Sequence, residues 1–230
     1  MCGFIQREPK STGLQEVFSE AGLTETLPLF AAENENVINF YPAFGKDPSR
    51  KISNLIVSPQ TSIDATWWFD AKPHGDSLLL GDRTTFNARN LDSPFWKHAI
   101  QSRRAIVAAT AVGESNPIGK GKAHYLMKAR RGLLIGAVYR IFDNGCAVCS
   151  VITRPPQPGF SQFHEKSIPC FLPTDPQVID AWLSGEPNDP LVNELLANPR
   201  LYDDLCVTPV KSFKSAEAKG PDIWLHASAQ

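Results

Sequence analysis

Apolar and polar positions along this chain follow two different periods. Leu14, Val17, Phe18 and Ala21 recur at helical spacing behind Ser11-Thr12, and Thr12 with Gln15 makes a capping box, which predicts a helix. Ser93-Pro94 opens a second helix, with Ser93 as cap, Pro94 in the first position and Phe95, Trp96, Ala99 and Ile100 on the buried side. Asp175-Pro176 and Asp189-Pro190 start two more. Elsewhere the pattern is that of strands: residues 51–57, 65–69, 104 to about 114, 123–128, 206–210 and 223–225. The apolar runs 132–142 and 146–153 are joined by Asp143-Asn144-Gly145, and Asn-Gly between such runs predicts a hairpin. Trp67 and Trp68 fall on one predicted strand, where neighbours point to opposite faces, so the alternation places them not both in the core.

No repeat, low-complexity tail or interdomain linker interrupts these elements. They predict an α+β chain: one mainly-β domain over residues 1–230, with a curved or barrel-like antiparallel sheet and several short helices. A hydrophobic content of 42% with 20% charged residues suits a globular protein with a full core. No apolar run approaches the length of a membrane span, and the first residues lack the basic and apolar regions of a signal peptide. Five cysteines without a regular framework suit a reducing compartment, so a cytoplasmic protein is expected. The net charge of −1 conceals a basic middle: residues 72–140 hold 12 Lys/Arg against 4 Asp/Glu, a local balance of +8. That is either a face for a polyanion or a solvated surface balanced by an acidic neighbour.

The candidate chemistry is scattered. Cys2 follows Met1, and trimming of the methionine would leave a residue with two nucleophiles, an α-amine of pKa roughly 7.7–8.0 and a thiol near about 8.5. Cys146 and Cys149 are spaced as a metal or redox pair, but no second pair completes a zinc site, and a strand would turn the two thiols to opposite faces. Gly119-Lys120-Gly121-Lys122 lacks the spacing of a phosphate loop and reads as a basic loop. Glu114 ends an apolar strand, a suitable place for an acid–base carboxylate. Asn87-Ala88-Arg89 offers an amide and a guanidinium, and His164 follows a proline-rich loop.

Taken in order, these pieces resemble the SOS-response-associated peptidase family, whose members crosslink to abasic sites in single-stranded DNA. The resemblance rests on Met1-Cys2-Gly3, then Asn87-Ala88-Arg89, then Pro94-Phe95-Trp96 followed by the strand to Glu114. Thr153, the stretch from His164 to Pro169 and Ala181-Trp182-Leu183 continue it along nearly the whole chain. It implies a sensor or shield of abasic sites. Loss of Met1 would be the peptidase-like step, and a thiazolidine would form between the Cys2 amine and thiol and the open-chain sugar. Asn87 would position Cys2, Glu114 would shuttle protons and His164 would assist imine chemistry or reversal. Arg89 would hold a phosphate, with Thr153 as a further DNA contact, and Trp67-Trp68 would stack on bases.

The resemblance implies no metal and no cofactor. It also implies a monomer whose partner is single-stranded DNA rather than a membrane. The chain departs from the family at Phe4, where arginine is usual, and at His164-Glu165-Lys166-Ser167-Ile168-Pro169, which is one residue longer than usual and lacks arginine. Two other readings stay open: an amidohydrolase with an N-terminal cysteine nucleophile, and a non-catalytic single-strand binder.

Overall fold

A computed structural model describes residues 2–119 and 121–228. The chain opens with strand β1 (Phe4–Arg7), helix α1 (Thr12–Glu20) and helix α2 (Leu27–Ala31), then strands β2 (Ile38–Phe40), β3 (Lys51–Ser58) and β4 (Thr61–Thr66). A small hairpin follows, β5 (Ala71–His74) and β6 (Ser77–Leu80), then β7 (Asn87–Ala88), α3 (Pro94–Ser102) and two long strands, β8 (Arg104–Ile118) and β9 (Gly121–Ile141). Next come β10 (Ala147–Arg154), the single turn α4 (Pro158–Ser161), β11 (Ile168–Pro169) and β12 (Phe171–Leu172). Helices α5 (Pro176–Ser184) and α6 (Pro190–Ala197) and strands β13 (Leu205–Val210) and β14 (Ile223–Leu225) complete the described chain.

Proline sits in the first turn of every helix after α1, where its missing N–H removes no intrahelical bond. Asp175 and Asp189 cap α5 and α6 through side chains that accept from backbone N–H groups. At α1 the cap is Ser11, whose hydroxyl accepts from Leu14 N at 3.5 Å, so the helix starts one residue before the predicted capping box.

The sheet closes on itself. β9 pairs with β10, β10 with β4, β4 with β3, β3 with β8 and β8 again with β9, giving a five-stranded barrel. β1 and β2 extend from β8, while β13 and β14 extend from β9. Residues 104–114 of β8 are buried on both faces. Ala105, Val107, Ala109 and Val112 join the cluster that fills the barrel, together with Ile52, Ala65, Ile135 and Cys149. Ile106 and Ala108 face outward into a second cluster under α1, α3, α5 and α6, with Leu14, Phe18, Trp96, Ile179 and Trp182. Glu114 lies two residues beyond Val112 and therefore shares the barrel-facing side of β8.

Two expectations about strands change. The runs 123–128 and 132–142 belong to one strand, β9. Ala109 pairs with Leu133 but Ala111 pairs with Lys128, so a bulge, not a loop, separates them. The helix α1 lies directly on that bulge. A β-carbon added at Gly13 would meet the Arg131 backbone at 2.7 Å, and one at Gly132 would meet Leu14 Cδ1 at 2.9 Å.

The strand predicted over 65–69 instead ends at Thr66. Trp68 N donates to Thr66 O at 2.8 Å, so the backbone turns sharply and strict alternation no longer applies. Both tryptophans consequently fold inward, at 0% and 4% exposure. Trp67 Nε1 donates to Phe86 O at 2.8 Å and Trp68 Nε1 to Gly81 O at 3.1 Å, which satisfies both indoles. The expected exposed pair for DNA stacking is thus a buried pair.

Candidate active site

The site lies where β1, β7, β8 and the loop after β10 meet. Phe4 pairs with Gly113, which brings the residues ahead of β1 beside the Glu114 end of β8. Cys2 is fully buried there, its Sγ 3.7 Å from Phe4 O. β7 runs parallel to β10, with Val151 opposite Asn87, and from there Asn87 Nδ2 donates to Cys2 O at 3.1 Å. An amide 85 positions away in sequence therefore fixes the carbonyl of the candidate nucleophile.

Glu114 is fully buried, and His164 Nε2 stands 3.9 Å from its Oε2. Nδ1 of His164 accepts from the backbone N–H groups of Lys166 and Ser167, both at 3.2 Å. That leaves Nε2 as the protonated nitrogen of a neutral ring, directed at the carboxyl group. Burial raises the Glu114 carboxyl to about 7, against the opposing pull of the Arg89 charge. Burial also lowers His164 to about 4, and the positive charges of Arg89 and Lys166 push the same way. Near neutrality, then, the carboxyl exchanges its proton readily while the imidazole stays neutral. The Cys2 thiol is pushed upward by burial and by the Glu114 charge, which keeps it protonated.

Arg89 follows buried Ala88 and is exposed at the mouth of this pocket. Thr153 is two residues beyond Val151 on the same side of β10; it is fully buried and its Oγ1 makes no hydrogen bond among the described residues. Asn87 Oδ1 and Ser167 Oγ share that condition. The structure therefore brings Cys2, Asn87, Glu114, His164, Arg89 and Thr153 to one end of the barrel. It leaves Trp67 and Trp68 in the core beside it. Removal of Met1 and the position of Lys120 concern residues outside those described.

Four cations of the basic middle are engaged within the fold. Arg104 is buried and donates to five backbone carbonyls around α3 and α5. Arg140 donates to Phe69 O and Ala71 O, and Lys128 and Arg131 pair with Glu8 and Glu20. Phe4, at the position expected to lack a phosphate contact, is a fully buried ring stacked on Phe213 at 4.9 Å and tilted against Tyr41 at 5.2 Å. The paired cysteines split as alternation requires: Cys149 packs inside the barrel and Cys146 against the outer cluster.

The family profile for the SOS response associated peptidase (SRAP) matches residues 1–213. The chain belongs to that family. SRAP membership supports an SOS-associated role on abasic-site DNA in general terms. No curated protein matches the chain. Its fold is similar to that of a solved protein from Bacteroides thetaiotaomicron, with a TM-score of 0.63, 14% identity and 92% and 93% of the two chains covered. A phage-related protein from Bordetella bronchiseptica is similar with a TM-score of 0.58, 18% identity and 92% and 95% covered. A second protein from that organism has a TM-score of 0.60 at 14% identity, covering 92% and 100%.

Sequence reading of this SRAP chain missed Phe44. The residue is 50% exposed, holds a left-handed backbone at φ +51°, and sets its ring edge-on to Phe86 at 5.6 Å. Phe86 in turn stacks on Trp68 and precedes Asn87. The loop that presents Phe44 is held by the tryptophan pair, since Ala43 N donates to Trp67 O and Trp67 N to Arg50 O. The only local sign in the sequence was a large ring between turn formers in Pro42-Ala43-Phe44-Gly45.

Proposed function

We propose that this SRAP protein captures abasic sites in single-stranded DNA as a covalent adduct on Cys2. The observation that carries the proposal is the Asn87–Cys2 hydrogen bond beside the Glu114–His164 pair. It fixes a two-nucleophile residue next to a carboxyl group that titrates near neutrality.

Hydrolysis of the Met1–Cys2 peptide bond first frees the Cys2 amine. Glu114, in its protonated form, gives a proton to the sugar ring oxygen as the ring C1′–O bond breaks, and the carboxylate takes back the proton of the C1′ hydroxyl as that becomes the aldehyde. The amine adds to C1′, and the carbinolamine loses water to form an imine. Sγ then adds to the imine carbon while the thiol proton passes to nitrogen, which closes the five-membered thiazolidine. One water molecule leaves in total. The raised thiol dictates that order, because a protonated buried sulfur is a poor first nucleophile. His164 donates toward Glu114 and steers its proton. Arg89 takes a flanking phosphate, Thr153 faces the sugar from the pocket floor and Phe44 offers its exposed ring to a base.

The test is incubation with single-stranded DNA holding one abasic site, followed by a denaturing gel. A shifted band is expected for the wild type and none for Cys2→Ala, and the mass of active protein should lack Met1. No adduct from the wild type, or full adduct from Cys2→Ala, overturns the reading.

A further inference from the structure

The segment that carries His164, residues 155–167 between β10 and β11, contains only the single turn α4. A stretch with so little regular backbone pairing opens easily unless side chains tie it down. Its tip is tied to the site on one side: Phe163 packs its ring on Tyr125 at 5.2 Å, and Tyr125 is the direct cross-strand partner of Glu114. Consecutive residues 163 and 164 therefore dock on a single strand pair.

The other side of the segment is tied to remote chain. His164 N donates to Phe160 O at 3.2 Å, and Phe160 N and Ser161 N donate to Gln157 O at 3.0 and 3.1 Å. The histidine thus hangs from α4, and α4 hangs from Gln157. The Gln157 amide is held at both ends: Nε2 donates to Pro199 O, and Oε1 accepts from Ser228 Oγ at 2.7 Å. Ser228 is itself locked, with its N donating to Leu201 O at 2.8 Å and its Oγ accepting from Leu201 N at 3.1 Å. A groove of about 350 Å³, lined by Phe160, Leu201, Leu225 and Ser228 among others, separates α4 from the terminal segment. Phe160 still joins Leu201 and Leu225 in the barrel cluster, and the amide adds a directional polar tie beside that apolar contact.

We propose that Gln157 is a positioning residue for His164, and that residues beyond the family match act through Ser228 to hold the histidine against Glu114. The geometric part stands without any DNA chemistry. Its catalytic consequence rests on the adduct-forming reading above.

The experiment is a pH titration of the His164 ring by NMR in the full chain, comparing wild type with Gln157→Ala, Ser228→Ala and Ser228→Thr. Loss of the clamp exposes the ring to water beside Glu114, Arg89 and Lys166, so in Gln157→Ala its pKa should rise by about one unit or more. Ser228→Ala should give a smaller rise, and Ser228→Thr, which keeps the hydroxyl, should match wild type. A general loss of packing would not follow that order. Where the wild type forms adduct, Gln157→Ala should slow it toward the His164→Ala rate and add nothing in the His164→Ala background.

An unchanged His164 titration in folded Gln157→Ala overturns the proposal. If Gln157→Ala does not fold, an unchanged titration in Ser228→Ala overturns it. A shifted titration without any wild-type adduct supports the clamp and refutes the proposed function alone.

Discussion

Glu114 is held in a place that suits its chemistry and opposes the stability of the fold. Its carboxyl is raised from an ordinary 4.5 to about 7 by burial, so folding costs nothing extra below about pH 4.5, increasingly more between there and about pH 7, and a constant amount above that. Glu114→Gln should therefore be the more stable protein at pH 8, by on the order of 3 kcal/mol, and equal to wild type near pH 4.5. Urea unfolding at the two pH values reads this directly. In the same variant adduct formation should slow at least tenfold, and the decline in wild-type rate above about pH 7, as the acid form is lost, should disappear. The aromatic residues invite a paired test. Phe44→Ala should weaken binding to intact single-stranded DNA by about 5- to 100-fold, the worth of one stacked base. Trp67→Phe should leave that binding alone and cost about 0.5–1.5 kcal/mol of stability for the lost hydrogen bond, since Phe86 O keeps its other donor, Val151 N. Residue types were legible in the sequence at Cys2, Asn87, Glu114 and His164. Exposure was not, since one turn at Thr66-Trp67-Trp68 decides it and no periodicity records such a turn.

Among the elements, the helices were the most readable, because Asp-Pro and Ser-Pro mark their starts through chemistry local to the first turn. The long hairpin was less so. Arg130-Arg131-Gly132 looks like a polar break in the sequence, yet it is the bulge on which α1 is seated. The close approach of two backbones explains why glycine stands at both contact points. Gly13→Ala puts a methyl group 2.7 Å from Arg131 Cα and its carbonyl oxygen, atoms that cannot swing aside. It should lower the unfolding free energy by about 1–3 kcal/mol, whereas the methyl of Gly132→Ala meets mainly the Leu14 side-chain terminus and should cost less. Thermal unfolding of the two variants side by side checks the ranking.

In the molecule as a whole, the barrel was predicted as a class but its closure depended on pairings far apart in sequence. β10 meets β4 through one bridge, Val148 to Thr66, and β3 meets β8 at Ile56 to Ile106. Neither strand shows its partner in its own residues. The same closure surrounds Cys2. Under the proposed function Cys2 has to stay intact until its DNA is met, and four features of the fold act as its packaging. The thiol has no exposed surface, it is kept protonated, it donates to the Phe4 carbonyl of β1, and the residue's own carbonyl is tethered by Asn87. Shelf life is the consequence. Under native conditions a bulky disulfide reagent should modify Cys146 and Cys206, the two partly exposed thiols, far faster than Cys2, Cys149 or Cys170, as peptide mass mapping would show. A protein stored under mild oxidation should accordingly keep its full capacity for the proposed adduct.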